Sequence, residues 1–131
     1  MSVEEADRDP EHLTYAMRCA WSELLVRCAE RRVWLVLLET LRSPERLDWL
    51  IANGKSWSHR SYHLAGKQDG KAAALDAAPI TRIDGGTLKV INWNSGHVHW
   101  TIFVEQALKL GLECGAEWEQ KDYSHVQLQR R

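Results

Sequence analysis

The chain has 131 residues and nearly balanced charge, with 17 lysines and arginines against 18 aspartates and glutamates. This length is typical of one domain, and such a domain can bury enough surface to fold without disulfides. There is no basic stripe or tail, so no nucleic-acid partner is expected. The longest apolar run, Val33–Leu38, is too short to cross a bilayer, so no stable membrane association is expected. We predict one domain over residues 1–131, acting as a monomer.

The cysteines and the N-terminus indicate where the chain is made. Cys19, Cys28 and Cys114 form no CxxC pair, so we expect them to be reduced and mostly packed, as suits synthesis in a cytoplasm. The opening residues MSVEEADRDPEH are acidic and polar, which is not typical of a secretory signal peptide. The first eleven residues are expected to be a frayed lead-in.

The first half of the chain is predicted to form a helix, a strand and a helix. Apolar residues at helical spacing predict the first helix from His12 to about Arg32. The continuous apolar run Val33–Glu39 has the length of a buried strand. The second helix has Ser43 as N-cap, Pro44 at its first position and Gly54 as its stop.

The second half alternates short strands with one more helix. The predicted elements are a loop at Lys55–Tyr62, a strand at Ala72–Ala77, a turn at Asp84–Gly86, a strand at Thr87–Trp93, a helix at Val98–Leu110 ended by Gly111, and extended segments at Leu112–Trp118 and His125–Gln129. The turns are too short for repeated parallel crossovers. We therefore predict an α+β fold, with a small, mostly antiparallel sheet and helices packed on one side.

One group of residues contains the ligand types of a catalytic zinc site. Such a site usually has three His, Asp or Glu ligands and leaves a fourth position for water. His63 and Asp76 could be two ligands if the segment between them turns back, and an Asp-Gly pair at Asp69 favours such a turn. Asp122 lies three residues before His125, so the two could act as general base and third ligand. With six histidines in the chain, spacing alone leaves a chance pairing open.

Four short segments follow one another in a characteristic order between about Glu30 and Leu128. They are LRSPERLDWLIANGKS, an S-x-H-x-x-G…A-x-D pattern, ALKLGLECGAEW and DYSHVQL; the pattern is matched by Ser61, His63, Gly66, Ala74 and Asp76. Each segment is weak evidence alone, but their combination is specific. Together they resemble the phage L-alanyl-D-glutamate endopeptidases, which belong to a group of zinc peptidases that also contains D-alanyl-D-alanine carboxypeptidases and dipeptidases.

The resemblance implies a cofactor and a role for each site residue. Zn²⁺ would be bound by His63, Asp76 and His125, and Asp122 would take a proton from the attacking water. Arg42 would face the developing oxyanion or a substrate carboxylate. The implied substrate contacts are Ser61, Trp118 and Tyr123. Structural alternatives remain open for three of these residues: Arg42 as a surface arginine, Ser61 as a plain loop serine and Trp118 as a core side chain.

Two positions depart from the family pattern. Asp76 lies thirteen residues after His63, which requires an insertion between Gly66 and Ala74 relative to the family. Asp69 is the rival ligand, but it lacks the preceding alanine, so we favour Asp76 and expect QDGK to be a solvent-facing excursion. Leu47 stands where many relatives have glutamine, so one substrate contact is in question.

The implied substrate is the stem peptide of peptidoglycan, cut between L-Ala and D-Glu. The implied role is that of a phage endolysin, made in the host cytoplasm without a signal peptide and acting on the wall in the periplasm. Three alternatives remain: a D-Ala-D-Ala carboxypeptidase or dipeptidase, a non-catalytic zinc-stabilised binding module, and a component of the phage particle.

Overall fold

The structure is a computed structural model that describes residues 2–56, 61–66, 69–86 and 88–129. Within these ranges the chain forms three α-helices and one five-stranded sheet whose strand pairs are antiparallel. In chain order the elements are α1 (Tyr15–Glu30), β1 (Trp34–Glu39), α2 (Pro44–Ala52), β2 (Ala74–Ile83), β3 (Leu88–Ile91), α3 (Val98–Lys109), β4 (Glu113–Cys114) and β5 (His125–Gln127). The predicted α+β class is confirmed.

Strand β2 organises the sheet. The strand order is β1-β2-β5-β4, and β3 also pairs with β2. Strand β5 pairs with the beginning of β2 at Ala74–Asp76, whereas β3 pairs with its end at Ile80–Ile83. The strand is therefore longer than the predicted Ala72–Ala77, because non-local pairing with three other strands extends it.

Helices α1 and α3 pack on each other and on the sheet. Helix α1 begins after Thr14, whose hydroxyl accepts the N–H of Met17 (3.1 Å). Its apolar stripe meets α3 and the sheet in one core, in which the largest fully buried apolar side chains include Phe103, Leu13, Met17, Leu24, Leu75 and Val33. This core fixes the sheet on which the candidate site lies.

Local sequence features set the bounds of α2 as predicted. The Ser43 hydroxyl accepts the N–H of Arg46 (3.1 Å), Pro44 is the first helical residue, and Gly54 has a positive φ of 68° after the last turn. The predicted extended segment at Leu112–Trp118 is only partly extended. It forms β4 and then a 3-10 turn at Gly115–Glu117.

Parts of three predicted segments lie outside the described residues, whereas the cysteines and the membrane prediction can be compared with the structure. Residues 57–60 of the predicted loop, Thr87 of the predicted third strand and Gln68 of the QDGK segment lie outside the described residues. All three cysteines are free; Cys28 and Cys114 are buried, whereas Cys19 is exposed. In the described part of the chain, no helix has both the length and the apolar character that crossing a membrane requires.

The N-terminal segment is bonded to the rest of the domain near the start of α2. The carbonyl of Asp7 accepts the N–H of Thr40 (2.6 Å) and also its hydroxyl (3.2 Å). The guanidinium of Arg46 donates to the carbonyl of Val3 (2.7 Å). Residues that the sequence predicts as a frayed lead-in therefore contact the loop that follows β1.

Candidate metal centre

Three strands align three polar residues in one row across the sheet. Glu39 at the end of β1 is paired with Asp76 on β2, and Asp76 is paired with His125 at the start of β5. Directly paired residues on neighbouring strands have their side chains on the same face and close together. A register shift between Leu37 and Glu39 re-aims the end of β1, as β-bulges beside functional sites often do.

His63 reaches this row from the segment between α2 and β2. Arg42 forms an isolated parallel bridge with Leu64, in which the N–H of Arg42 donates to the carbonyl of His63 (2.7 Å). The Nδ1–H of His63 donates to the carbonyl oxygen of Thr40 (2.7 Å). This bond leaves the lone pair of Nε2 facing Asp76, with a His63 side chain that is only 1% exposed.

The two histidines and Asp76 together could hold a metal ion. One donor atom from each of the three residues lies within 4.8 Å of the others. Oδ2 of Asp76 is 3.5 Å from Nε2 of His63, and Oδ1 is 3.5 Å from Nδ1 of His125. These separations are long for hydrogen bonds, but two donors at Zn²⁺ bond lengths on a tetrahedral ion would lie about 3.3 Å apart.

Unsatisfied buried atoms give an independent test of the fit. Among the described residues, Nε2 of His63 and Oδ1 of Asp76 are buried without a hydrogen-bond partner. Buried polar atoms are normally satisfied, and leaving one unpaired costs about 1–3 kcal/mol. Two imidazole nitrogens and a carboxylate are also the donor set that Zn²⁺ favours in catalytic sites. The residues therefore fit a zinc ion.

A series of hydrogen-bonded side chains orients His125. Its Nε2–H donates to Oε1 of Gln127 (2.7 Å), which leaves the lone pair of Nδ1 facing Asp76. Nε2 of Gln127 donates in turn to Oε2 of Glu113 (3.3 Å), which also accepts from the indole N–H of Trp118 (3.0 Å). Partners of this kind fix the tautomer and the ring orientation of a metal-binding histidine.

Arg42 forms a buried part of the wall beside the row. It donates from Nη2 to Oε1 of Glu39 (2.7 Å), and the same Nη2 lies 3.7 Å from Oδ2 of Asp76. Arg46 donates to the other carboxylate oxygen of Glu39. Arg42 is 8% exposed, so the structure places it in the site and not on the open surface.

Asp122 enters the site from the segment before β5. Its N–H donates to the carbonyl of Gly115 (3.0 Å), and its carbonyl accepts the N–H of His125 (3.2 Å). A Cβ at position 115 would overlap the Asp122 carbonyl, so only glycine permits this close approach. The glycine in CGAEW therefore positions the carboxylate that the sequence predicts as a general base.

The charges of the site shift its pKa values in opposite directions. Burial and the neighbouring charge of Asp76 raise the pKa of Asp122. Burial opposes ionisation of Asp76, but the facing His63 and His125 outweigh it and hold the pKa of this carboxyl well below its usual range. Burial of His125 is likewise outweighed by Asp76, which raises the pKa of the imidazole. Ionisation of Asp76 is thus favoured, while Asp122 becomes more basic.

The predicted site residues lie around one cleft of about 270 Å³, with one exception. Ser61 and Trp118 line the cleft with Arg42, Asp122 and the triad. The Ser61 hydroxyl accepts the N–H of His63 (3.1 Å), and the Trp118 ring lies 4.9 Å from the His125 ring between centroids. The exception is Tyr123.

Tyr123 lines a separate groove against α3, where its ring lies 6.4 Å from that of Trp100. It does not line the cleft with its neighbours Asp122 and Ser124. Tyr123 lies in a turn closed by the bond from the His125 N–H to the Asp122 carbonyl, so its side chain leaves the backbone in a different direction from that of Asp122. The prediction of a Tyr123 wall in the cleft is therefore corrected.

The rival ligand Asp69 lies elsewhere. It is exposed, and its Oδ1 accepts the N–H of Lys71 (3.0 Å) within the turn at Gly70, whose φ is 68°. Among the described residues, the group that could hold a metal contains Asp76 and not Asp69. The described part of QDGK is thus an exposed turn that spans the interval between the histidine and the aspartate.

Sequence reasoning missed several residues that build the site. The sequence pattern marks Glu39 only as the last residue of the predicted strand, although a lone carboxylate at the end of an apolar run is a usable sign of a buried partner. Gln127 lies two residues after His125, so strand alternation alone puts both on one face. No local sequence pattern predicts the remaining residues that line the site or contact its side chains, which are Glu113, Thr40 and Lys55.

The fold and its possible metal site thus define an α+β domain with a histidine–aspartate–histidine group in an open cleft. Its fold is similar to that of a Serratia marcescens L-Ala D-Glu endopeptidase, ChiX, with a TM-score of 0.63 and 20% sequence identity over 98% of this chain and 89% of the other. No protein-family model matches the sequence, and no curated protein matches it. The similarity shows that the two chains share a fold.

Proposed function

We propose that the protein is a zinc-dependent peptidase that cuts the L-Ala–D-Glu bond of peptidoglycan stem peptides. The observation that carries the proposal is the triad His63, Asp76 and His125, because two of its buried donor atoms have no hydrogen-bond partner in the described chain. The fold shared with an L-Ala D-Glu endopeptidase and the four ordered sequence segments support this choice of bond.

Two side chains have chemical roles beside the zinc ion. When bound, a zinc ion supplies a Lewis acid that acidifies water and polarises a carbonyl. Asp122 takes the proton of the attacking water and passes it to the leaving amine, a role for which its position on the cleft lining beside the triad is suited. Arg42, held by Glu39, stabilises the negative charge that develops on the scissile carbonyl oxygen.

The rest of the cleft binds the peptide. Ser61 and Trp118 lie on the lining and contact the substrate in this proposal. The four segments that resemble phage L-alanyl-D-glutamate endopeptidases also support a role in host lysis, with synthesis in the host cytoplasm. Wall preparations from a thin-walled bacterium are therefore a suitable assay substrate beside a synthetic stem peptide.

Asp122→Ala tests the proposed base. The variant should lose about 10²–10⁴-fold in kcat on a synthetic stem peptide, because the proton acceptor is gone, yet keep its zinc. Mass spectrometry of the products identifies the bond, and metal analysis measures the zinc. Release of D-Ala instead of L-Ala would favour the carboxypeptidase alternative.

Asp69→Ala is the matched control, since this exposed aspartate lies outside the triad. It should retain both zinc and activity. Loss of zinc in this variant would overturn the assignment of Asp76 as the ligand, and full activity of Asp122→Ala would overturn the assigned base.

A further inference from the structure

Lys55 is a cation on the cleft lining whose charge no carboxylate of the described chain neutralises. Arg42, the other basic side chain on that lining besides the histidines, is bound to Glu39. Within the described ranges, Lys55 has no carboxylate at ion-pair distance. The cleft also holds Asp76 and Asp122. Among the described residues of the lining, and leaving the histidines aside, Lys55 is therefore the one basic side chain that is not already bound to a carboxylate.

The end of α2 fixes the position of Lys55. Gly54 reverses the chain with its positive φ, and the N–H of Lys55 then donates to the carbonyl of Leu50 (2.8 Å). The ammonium lies 5.2 Å from the centroid of the Trp49 ring, a cation–π contact that limits where the long side chain can go. A contact with a ring face leaves ammonium hydrogens available to an acceptor.

The proposed substrate has a carboxylate that can accept a hydrogen bond from the Lys55 ammonium. In a stem peptide the D-glutamyl residue is linked through its side-chain carboxyl, so its α-carboxylate remains free beside the bond to L-Ala. We infer that Lys55 binds this free carboxylate and makes the enzyme select substrates that are charged next to the scissile bond. Ser56, the next residue on the lining, offers a hydroxyl on the same wall. This inference rests on the proposed function.

Two peptides that differ in one charge test the inference. The first is L-Ala-γ-D-Glu linked to a diamino acid, and the second has the α-carboxylate replaced by a carboxamide. The wild-type protein should show a KM about three- to tenfold lower for the carboxylate peptide, with similar kcat, as expected for a charged contact made by an exposed lysine. Lys55→Met should raise KM for the carboxylate peptide to that of the amide. Lys55→Arg should retain most of the preference.

The control variant is Lys89→Met, because Lys89 is exposed on β3 and does not line the cleft. It should leave both KM values unchanged. Equal KM values for the two peptides in the wild type, or an equal fall of kcat on both in Lys55→Met, would overturn the inference alone. Failure of the zinc-loaded wild type to cut either peptide would overturn the proposed function and the inference together.

Discussion

His63 and His125 face the same carboxylate, but partners of different kinds orient them. His63 donates to a main-chain carbonyl, that of Thr40, whereas His125 donates to the side chain of Gln127; both bonds measure 2.7 Å. A main-chain acceptor is present whatever residue occupies the position, whereas a side-chain acceptor can be lost in one substitution. The two halves of the site should therefore differ in how mutation affects them.

The regions behind these two acceptors differ as well. Thr40 is fully buried and is bonded through its N–H and its hydroxyl to the carbonyl of Asp7 in the N-terminal segment. Gln127 is bonded to Glu113 at the start of β4, and Trp118 donates to the same carboxylate. One histidine thus depends on a main-chain contact with a distant segment, and the other on polar side chains of neighbouring strands.

The largest effect is expected on the His125 side, from Gln127→Met. Methionine has a similar volume and no acceptor oxygen, so the Nε2–H of His125 loses its partner while the packing is nearly kept. Removing such a partner typically costs about 10–100-fold in metal affinity. Competition with a chromogenic chelator would measure the zinc dissociation constant.

Gln129→Met is the matched control, because Gln129 is exposed after the end of β5. It should leave the zinc dissociation constant unchanged. A Gln127→Met dissociation constant within about twofold of the wild type would show that the side-chain bond does not hold His125 in place.

An intermediate effect is expected from deleting residues 2–9, which removes the acceptor of the Thr40 N–H. An unpaired buried N–H costs about 1–3 kcal/mol, and the deletion also removes the acceptors of the Thr40 hydroxyl and of Arg46, so the free energy of unfolding in urea should fall by at least about that amount. The carbonyl that orients His63 remains, so zinc affinity should fall less than it does in Gln127→Met. A larger loss of zinc affinity after the deletion would reverse the comparison and make the N-terminal segment the main support of the site.

The sequence predicted the elements that local chemistry determines. Ser43, Pro44 and Gly54 act within a few residues of their own positions, so the bounds of α2 could be predicted closely. The length of β2 could not, because its pairing with β1, β3 and β5 depends on residues far along the chain.

The site shows the same difference between features set by local sequence and features set by long-range contacts. The order of four sequence segments brought His63, Asp76, His125 and Asp122 together in the prediction, and the structure places them around one cleft. Tyr123 lines a different groove from Asp122 because the turn between Asp122 and His125 sends the two side chains in different directions, which the sequence pattern does not show. Long-range partners such as Thr40 have no local pattern at all: its carbonyl meets a histidine 23 residues away.

The smallest effect is expected from Thr40→Val, on the His63 side. Valine removes only the hydroxyl bond to the Asp7 carbonyl (3.2 Å), while the Thr40 N–H and carbonyl keep their partners. The free energy of unfolding should fall by about 0.5–1.5 kcal/mol, as for the loss of one ordinary hydrogen bond. The zinc dissociation constant, measured by the same chelator competition, should stay within about twofold. A tenfold loss of zinc affinity would mean that the side chain of Thr40, and not only its carbonyl, controls how His63 is presented.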